Sequence, residues 1–375
     1  MSEATEELDL LPEIDAKAEA ILQRVGLGAQ EDRSASAVLV NHDLRVALSE
    51  VEGVEIMPIQ DALMKYDWVQ SLMFNLIKPD ENELLRQAAE LLNDPIGHFL
   101  YVHDGVKLDL PIQSFTLMEL PQGRQFTHNI TVIGKDAEVE MISGAGVPAN
   151  VHAGHHVSIE ETYVREGARC RSVSIESWGS KMAVESYSRS EIGEGAEMVS
   201  NQIMLAPLSN HLSDTKTWIG KDASCSDQAT IFAPQDTRRV FENETYLTAP
   251  GARSESMARM VSAGGTIINN ALLVGQAGDT NGFLGCDGLK LSDEGEILAV
   301  PALRAECAAS QLSHEASVGM IDAEKLAYLM AAGLSEDRAR QLIVQGFLNL
   351  RDQYMPEEMR EQVTEMIAAA KSGGM

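Results

Sequence analysis

A short turn motif returns five times through the middle of the chain. It reads GKDAEVE, REGARCRS, GEGAEMVS, GKDASCSD and APGARSES, with an alanine at a fixed place: Ala137, Ala168, Ala196, Ala223 and Ala252. Successive alanines lie 31, 28, 27 and 29 residues apart. The segments between them are short and alternate polar with apolar residues, as in FTHNITVI, RSVSIESW and VFENETYLTA. Helical periodicity is absent from about residue 112 to 312. A repeat of this size in strand-rich sequence predicts a solenoid whose coils stack on one another. Small residues at a fixed turn position suit tight corners, and glycine supplies positive φ where a corner needs it. The expected fold class is mainly β: a right-handed parallel β-helix core flanked by N-terminal and C-terminal α-helical regions. A β-sandwich is the competing architecture on pattern alone. Whether one repeat makes one coil or two is open.

Three regions are expected: 1–111, 112–312 and 313–375. In the first, Ile14, Ala18, Ile21, Leu22 and Val25 follow helical spacing, and Gly26 or Gly28 stops the helix. A short strand is expected at Val38–Val40. Asp61 is the expected cap of a helix carrying Leu63, Met64, Trp68, Leu72 and Met73, and a second helix follows Pro79-Asp80. The region is therefore mainly helical. Residues 99–110 alternate around Asp104-Gly105, a type I′ turn pair, and predict a hairpin. In the last region Asp322 is placed to cap a helix through Ala331 that ends at Gly333. Ser335 starts another, and Pro356 opens a third.

Charge and cysteines narrow the function. Twenty-nine basic against 57 acidic residues leave a net charge of −28, which disfavours nucleic acid and anionic membrane as partners. No run of 18 apolar residues is present, and MSEATEELDLL lacks a signal-peptide pattern, so a cytoplasmic location is expected. Cys170, Cys225, Cys286 and Cys307 form no CxxC pair, and a reducing compartment argues against disulfides. For Cys170, Cys225 and Cys307 a buried apolar role is expected. The paired acids Glu160-Glu161 and Glu242/Glu244 admit a polysaccharide hydrolase or lyase, but read more simply as solvent-facing strand positions. His152, His155 and His156 read as a solvated loop entering a strand, with alternation sending His155 and His156 to opposite faces. His128 is a candidate for the solenoid interior.

Cys286 differs from the other cysteines. It opens a strand-like segment, and a second such segment carries His314-Glu315 just before helical periodicity begins. Cys286 and Glu315 lie 29 residues apart, close to one repeat, so stacked coils are expected to bring them to adjacent strands about 4.8 Å apart. Thiolate is the preferred protein ligand of iron–sulfur clusters, and imidazole and carboxylate are weaker, more labile ones. A buried Cys286 with His314-Glu315 capping a helix is the plain structural alternative.

The blocks CDGLKL, Val300-Pro301, SHEASVGMID, LAYLMAAGLS and ARQLIVQGF resemble, in order and spacing, the core domain shared by SufB and SufD, scaffold subunits of the SUF iron–sulfur cluster assembly machinery. The resemblance implies a β-helix. It implies cluster assembly at Cys286 and Glu315, and a subunit-interface role for His314. It also implies a helical tail that docks SufC, an ABC-type ATPase, here through Leu326, Tyr328, Leu329, Leu334, Ile343 and Phe347. No Walker pattern occurs in this chain, so ATP hydrolysis is expected in the partner and no enzymatic activity in the chain itself. The expected cargo is a transient iron–sulfur cluster, taken as [4Fe–4S]. Expected partners are the ATPase, a second copy or a SufB/SufD paralogue, a cysteine-derived sulfur donor and apo acceptors. The chain lacks the CxxC-type cysteine cluster of long SufB N-terminal regions and is shorter than a typical SufB. A SufD-like partner carrying no cluster is the alternative.

Overall fold

Two ladders of strands run the length of the molecule, and almost every coil gives one strand to each. The computed structural model describes residues 14–348 apart from 30–31, 50, 92–93 and 206; the helix expected from Pro356 lies outside the described residues. The chain enters through α1 (Ala16–Gln23), whose first turn is capped by Asp15. Strands β1 (Ala35–Val40), β2 (Asp43–Ser49) and β3 (Val54–Pro58) follow, then α2 (Ile59–Lys65), α3 (Asp67–Gln70), α4 (Glu83–Glu90) and β4 (His98–Val102). The coils proper comprise β5 (Ile112–Leu117), β6 (Arg124–Ile133), β7 (Glu138–Gly146), β8 (Ala153–Val164), β9 (Arg169–Ser177), β10 (Lys181–Ile192) and β11 (Glu197–Met204). They continue with β12 (Asn210–Ile219), β13 (Ser224–Pro234), β14 (Arg238–Leu247), β15 (Arg253–Ala263), β16 (Thr266–Gly275), β17 (Asn281–Lys290), β18 (Glu296–Ala305) and β19 (Gln311–Met320). Helices α5 (Ala323–Ala331) and α6 (Glu336–Leu348) close the described chain.

Odd-numbered strands from β5 to β19 pair in parallel in one sheet, and even-numbered strands from β4 to β18 in the other. The result is a parallel β-solenoid of about 8 turns, and each sequence repeat is one coil of two strands. The five repeat alanines stack at one corner, all buried, against Ile133, Val164, Ile192, Ile219 and Leu247 of the same coils. Beside them runs a column of left-handed residues, Gly105, Asp136, Gly167, Gly195, Asp222, Gly251 and Asp279, with φ from +54° to +77°. The Asp136 carboxylate lies where a Cβ on Gly167 would sit, and Asp222 stands likewise to Gly251.

Several expectations change. Residues 99–110 form a corner and not a hairpin: β4 and β5 belong to different sheets, and Gly105 N donates to Lys135 O of the next coil at 2.7 Å. A hairpin turn and this corner both require positive φ, so the Asp-Gly signal is the same for the two. Before residue 112 the chain supplies four strands beside its short helices, and the ladders begin there. Asp61 lies in the first turn of α2 and caps nothing; Pro58 is the cap residue. The α2–α4 excursion lies on the outer face of the even-numbered sheet. Two buried polar groups hold it: Glu161 accepts from Leu76 N at 2.5 Å, and Arg189 donates to Glu81 at 2.8 Å and Asp214 at 2.9 Å. No helix of the described chain is long and apolar enough to cross a membrane.

Candidate functional site at the open end

Strand β17 sends Gly282, Leu284, Cys286 and Gly288 inward, alternating with outward Phe283 and Asp287. Cys286 is thus an interior residue, 2% exposed. Burial pushes its thiol up, Asn269 Nδ2 opposes this by donating to Sγ at 3.3 Å, and the neighbouring Asp287 adds to the rise. A cavity of about 30 Å³, room for about one water, touches Cys286, Asn269, Phe241 and Leu284. Its far wall, with Gln202, Ser213, Asp227 and Ser256, is shared with a larger interior cavity of about 220 Å³. The larger cavity is lined mainly by serine and threonine hydroxyls from alternate strand positions. The thiol therefore terminates a hydrophilic interior at its C-terminal end. Asn269 and this hydroxyl lining were missed from sequence. The signal was there in polar residues recurring at every second position of strands whose other face is also polar.

The expected stacking of Cys286 on Glu315 does not occur. This coil is 30 residues long, so Cys286 pairs with Ala316, Gly285 with Glu315 and Leu284 with His314. One residue of register sends a side chain to the other face of a sheet. His314 therefore shares the inner face with Cys286, one diagonal step away, while Glu315 faces outward beside Ser317, whose hydroxyl donates to Asp287 at 2.8 Å. Nor does the His-Glu pair mark the end of a strand: β19 continues to Met320 and α5 begins only at Ala323. Both residues are exposed because β19 is the outermost strand of its sheet.

The remaining candidates separate cleanly. His155 and His156 lie in β8, not in a loop. His155 faces out, 3.1 Å from Glu185, and His156 faces in, with Nδ1 2.7 Å from Gln125 Oε1. His128 faces the outer excursion, not the interior, with Nε2 3.0 Å from Glu161 Oε1. Glu160 and Glu161 part to opposite faces: Glu160 lines the interior cavity, and Glu161 is buried beneath the excursion. A hydrolase cleft thereby loses that pair, while Glu242 and Glu244 stay half-buried in β14, where Glu242 accepts from Asn270 and Glu244 from Tyr246. Cys170 and Cys225 are buried as expected, but Cys307 is half-exposed in the last corner. Among the described residues, no three His, Cys, Asp or Glu side chains converge closely enough to hold a metal ion.

In the tail, Asp322 caps α5 by accepting from Glu324 N at 2.8 Å. Tyr328 is 74% exposed. Leu326, Leu329, Leu334, Ile343 and Phe347 are half-buried. Ile343 and Phe347 pack toward Leu289 and the apolar cluster on the outer face of the odd-numbered sheet. A groove of about 440 Å³ runs between α5, α6 and that sheet, lined by Leu289, Met320, Leu329, Ile343 and Phe347 among others.

A family model of the SufBD core domain of the SUF iron–sulfur cluster assembly system matches residues 116–347, the coils with α5 and most of α6. The chain belongs to the SufBD family. An iron–sulfur cluster assembly SufBD family protein of Archaeoglobus fulgidus is 31% identical, covering 93% of this chain and 94% of the relative. The Pyrococcus horikoshii SufBD family protein is 27% identical over 98% of this chain and 84% of its own length. A Staphylococcus aureus relative is 24% identical over 90% of this chain and 73% of its own length. The protein is thus an iron–sulfur cluster assembly protein of the SufBD family, and the expected β-helix is its fold.

Proposed function

We propose that this SufBD protein is a scaffold on which an iron–sulfur cluster is built and from which it is passed on, the cluster being cargo. Cys286 is the principal ligand in this reading, and His314 and Glu315 are weaker ones. The carrying observation is that Cys286 and His314 share one face at the end of the solenoid where, among the described residues, each sheet finishes in a strand paired on one side only. The metal-poor donor set of one chain fits a site completed by a second copy or a SufB/SufD paralogue laid against that end. A single thiolate with imidazole and carboxylate holds a cluster less firmly than four thiolates, which suits transfer. Cys286 must first be uncovered. A SufC-like ABC ATPase seated in the groove of α5 and α6 is placed to do this, since those helices adjoin β17 and β19. Sulfide would come from a cysteine-derived donor, and the finished cluster, taken as [4Fe–4S], would go to apo acceptors.

Anaerobic reconstitution with iron and sulfide tests the reading, run on wild type and Cys286→Ala side by side, with partners added in turn. Thiolate-to-iron absorbance near about 400 nm should appear in wild type and vanish in the variant, with circular dichroism unchanged. A second reading, a SufD-like partner that binds the ATPase and carries no cluster, draws support from Glu315 facing away from Cys286. It expects ATPase binding but no cluster absorbance in either protein.

A further inference from the structure

A second concentration of soft donors lies deep in the solenoid, away from Cys286. Cys170, Met198 and Cys225 occupy one inner row on the successive strands β9, β11 and β13. Met141 on β7 joins them from the next row, its Sδ 3.9 Å from Cys170 Sγ. All four residues line the interior cavity of about 220 Å³. The stripe thus lies at the boundary between the apolar packing of the alanine corner and a hydroxyl-lined space, with all four residues reaching the cavity.

We propose that this stripe is a binding site for a soft monovalent cation, Cu(I). Thiolate and thioether are the donors that select Cu(I), whereas the surrounding hydroxyls are hard and compete poorly. The geometry suits a wedged ion. With metal–sulfur bonds of about 2.3 Å, sulfurs 3.9 Å apart subtend an angle of roughly 115° at the metal, near trigonal. Met198, in register between Cys170 and Cys225 and lining the same cavity, is the third donor in this proposal. Charge selects the valence. A monovalent ion with one thiolate and two thioethers is neutral overall, whereas a divalent ion would leave a buried net charge unless Cys225, the thiol that burial raises further, were ionised as well. Burial holds Cys170 up to about 12 and raises Cys225 further, so the empty site carries neutral thiols. Binding therefore breaks the Cys170 S–H bond, forms Cu–S and releases that proton to solvent, with copper remaining Cu(I) throughout.

The test is anaerobic competition for Cu(I) between the full chain and bicinchoninate, followed to equilibrium because the site is enclosed. Wild type and a Cys286→Ala/Cys307→Ala variant should each retain about one equivalent with equal affinity. Affinity should rise about tenfold per pH unit, as one released proton requires. Met141→Leu/Met198→Leu, which preserves volume and both interior thiols, should bind at least about tenfold more weakly. Cys170→Ser should bind weakest, and X-ray absorption of the wild-type complex should show sulfur neighbours only. Retention that follows Cys286 or Cys307, indifference to the thioether replacements, or no Cu(I) held against the chelator would each overturn the proposal.

Discussion

Buried titratable residues give the molecule a stability optimum with two different edges. Glu176 faces the interior cavity and accepts from Trp178 Nε1 at 3.0 Å. Burial pushes its carboxyl up to about 7, against the pull of that bond and of Arg239. Between about pH 4.5 and 7 the folded chain keeps a proton that the unfolded chain has released, so stability falls as pH rises through this window. Glu176→Gln keeps the acceptor and removes the titration. It should be more stable than wild type at pH 8 by about 1–3 kcal/mol, with the gain gone by pH 4. Thermal melts at both pH values check this, and an equal offset at the two would refute it. The acid edge has the opposite cause. Burial lowers His98 to about 4 and His156 and His211 to about 3, so below about 6.5 only the unfolded chain takes up protons, and stability is lost as pH falls. Little of this was legible in sequence. Alternation told that His155 and His156 part company, but not which of them faces inward, because both faces of these strands carry polar residues. The same ambiguity hid the register of Cys286. A coil of 30 residues and one of 29 look alike in a repeat that already varies, and the difference moves Glu315 to the other side of the sheet.

Corners set the coil length, and they are where substitutions should differ most. Gly251 and Gly105 occupy equivalent left-handed places, φ +77° and +72°. A Cβ at Gly251 would collide with the Asp222 carboxylate of the preceding coil, whereas one at Gly105 meets nothing within 4 Å. Both alanine variants incur backbone strain of about 1 kcal/mol, and only Gly251→Ala adds the clash. Gly251→Ala should therefore cost about 2–3 kcal/mol and Gly105→Ala about 1, measured by denaturant unfolding. Equal costs would mean that the aspartate column yields freely. The corners were the most legible part of the fold, because an alanine packed under a stacked turn leaves a mark every coil. The helices of the N-terminal region were legible too, as were β1 at Val38–Val40 and β4, whereas β2 and β3 were not. Strands β2 and β3 each pair antiparallel at the edge of a ladder, where no repeat announces them. The clamps that fasten the excursion to the sheet join residues as far apart as Glu81 and Arg189, a separation that local pattern cannot register.

At the scale of the whole molecule the two ends of the solenoid differ. The N-terminal end finishes each ladder with an antiparallel strand, β2 in one sheet and β3 in the other. The C-terminal end finishes in β18 and β19, parallel strands with no further partner among the described residues. Natural edge strands are usually blunted by lysine, proline, bulges or a covering element, because free N–H and C=O groups invite pairing. Strand β18 contains Pro301, which takes one donor out of its ladder, but β19, QLSHEASVGM, contains neither proline nor lysine. Apolar side chains crowd the same end, with Val318 47% and Met320 53% exposed. A chain of net charge −28 repels its copies over most of its surface, so the two last strands, whose only acids are Glu296 and Glu315, are the natural place for two copies to meet, with the acids of the flanking corners, Asp293, Glu294 and Glu306, left at the rim. If self-pairing there completes the cluster site, Val318→Lys/Met320→Lys should weaken it about tenfold or more, since two charges enter a desolvated rim. The isolated chain should change by less than about 0.5 kcal/mol, because both positions are open to solvent. Light scattering across a dilution series separates the two effects. A dimer that ignores the lysines pairs elsewhere, and a wild type monomeric at micromolar concentration requires a different chain on this end. In either case Cys286 reconstitution would have to be repeated with that partner present, because one chain directs His314 and Glu315 to opposite faces of its last strand.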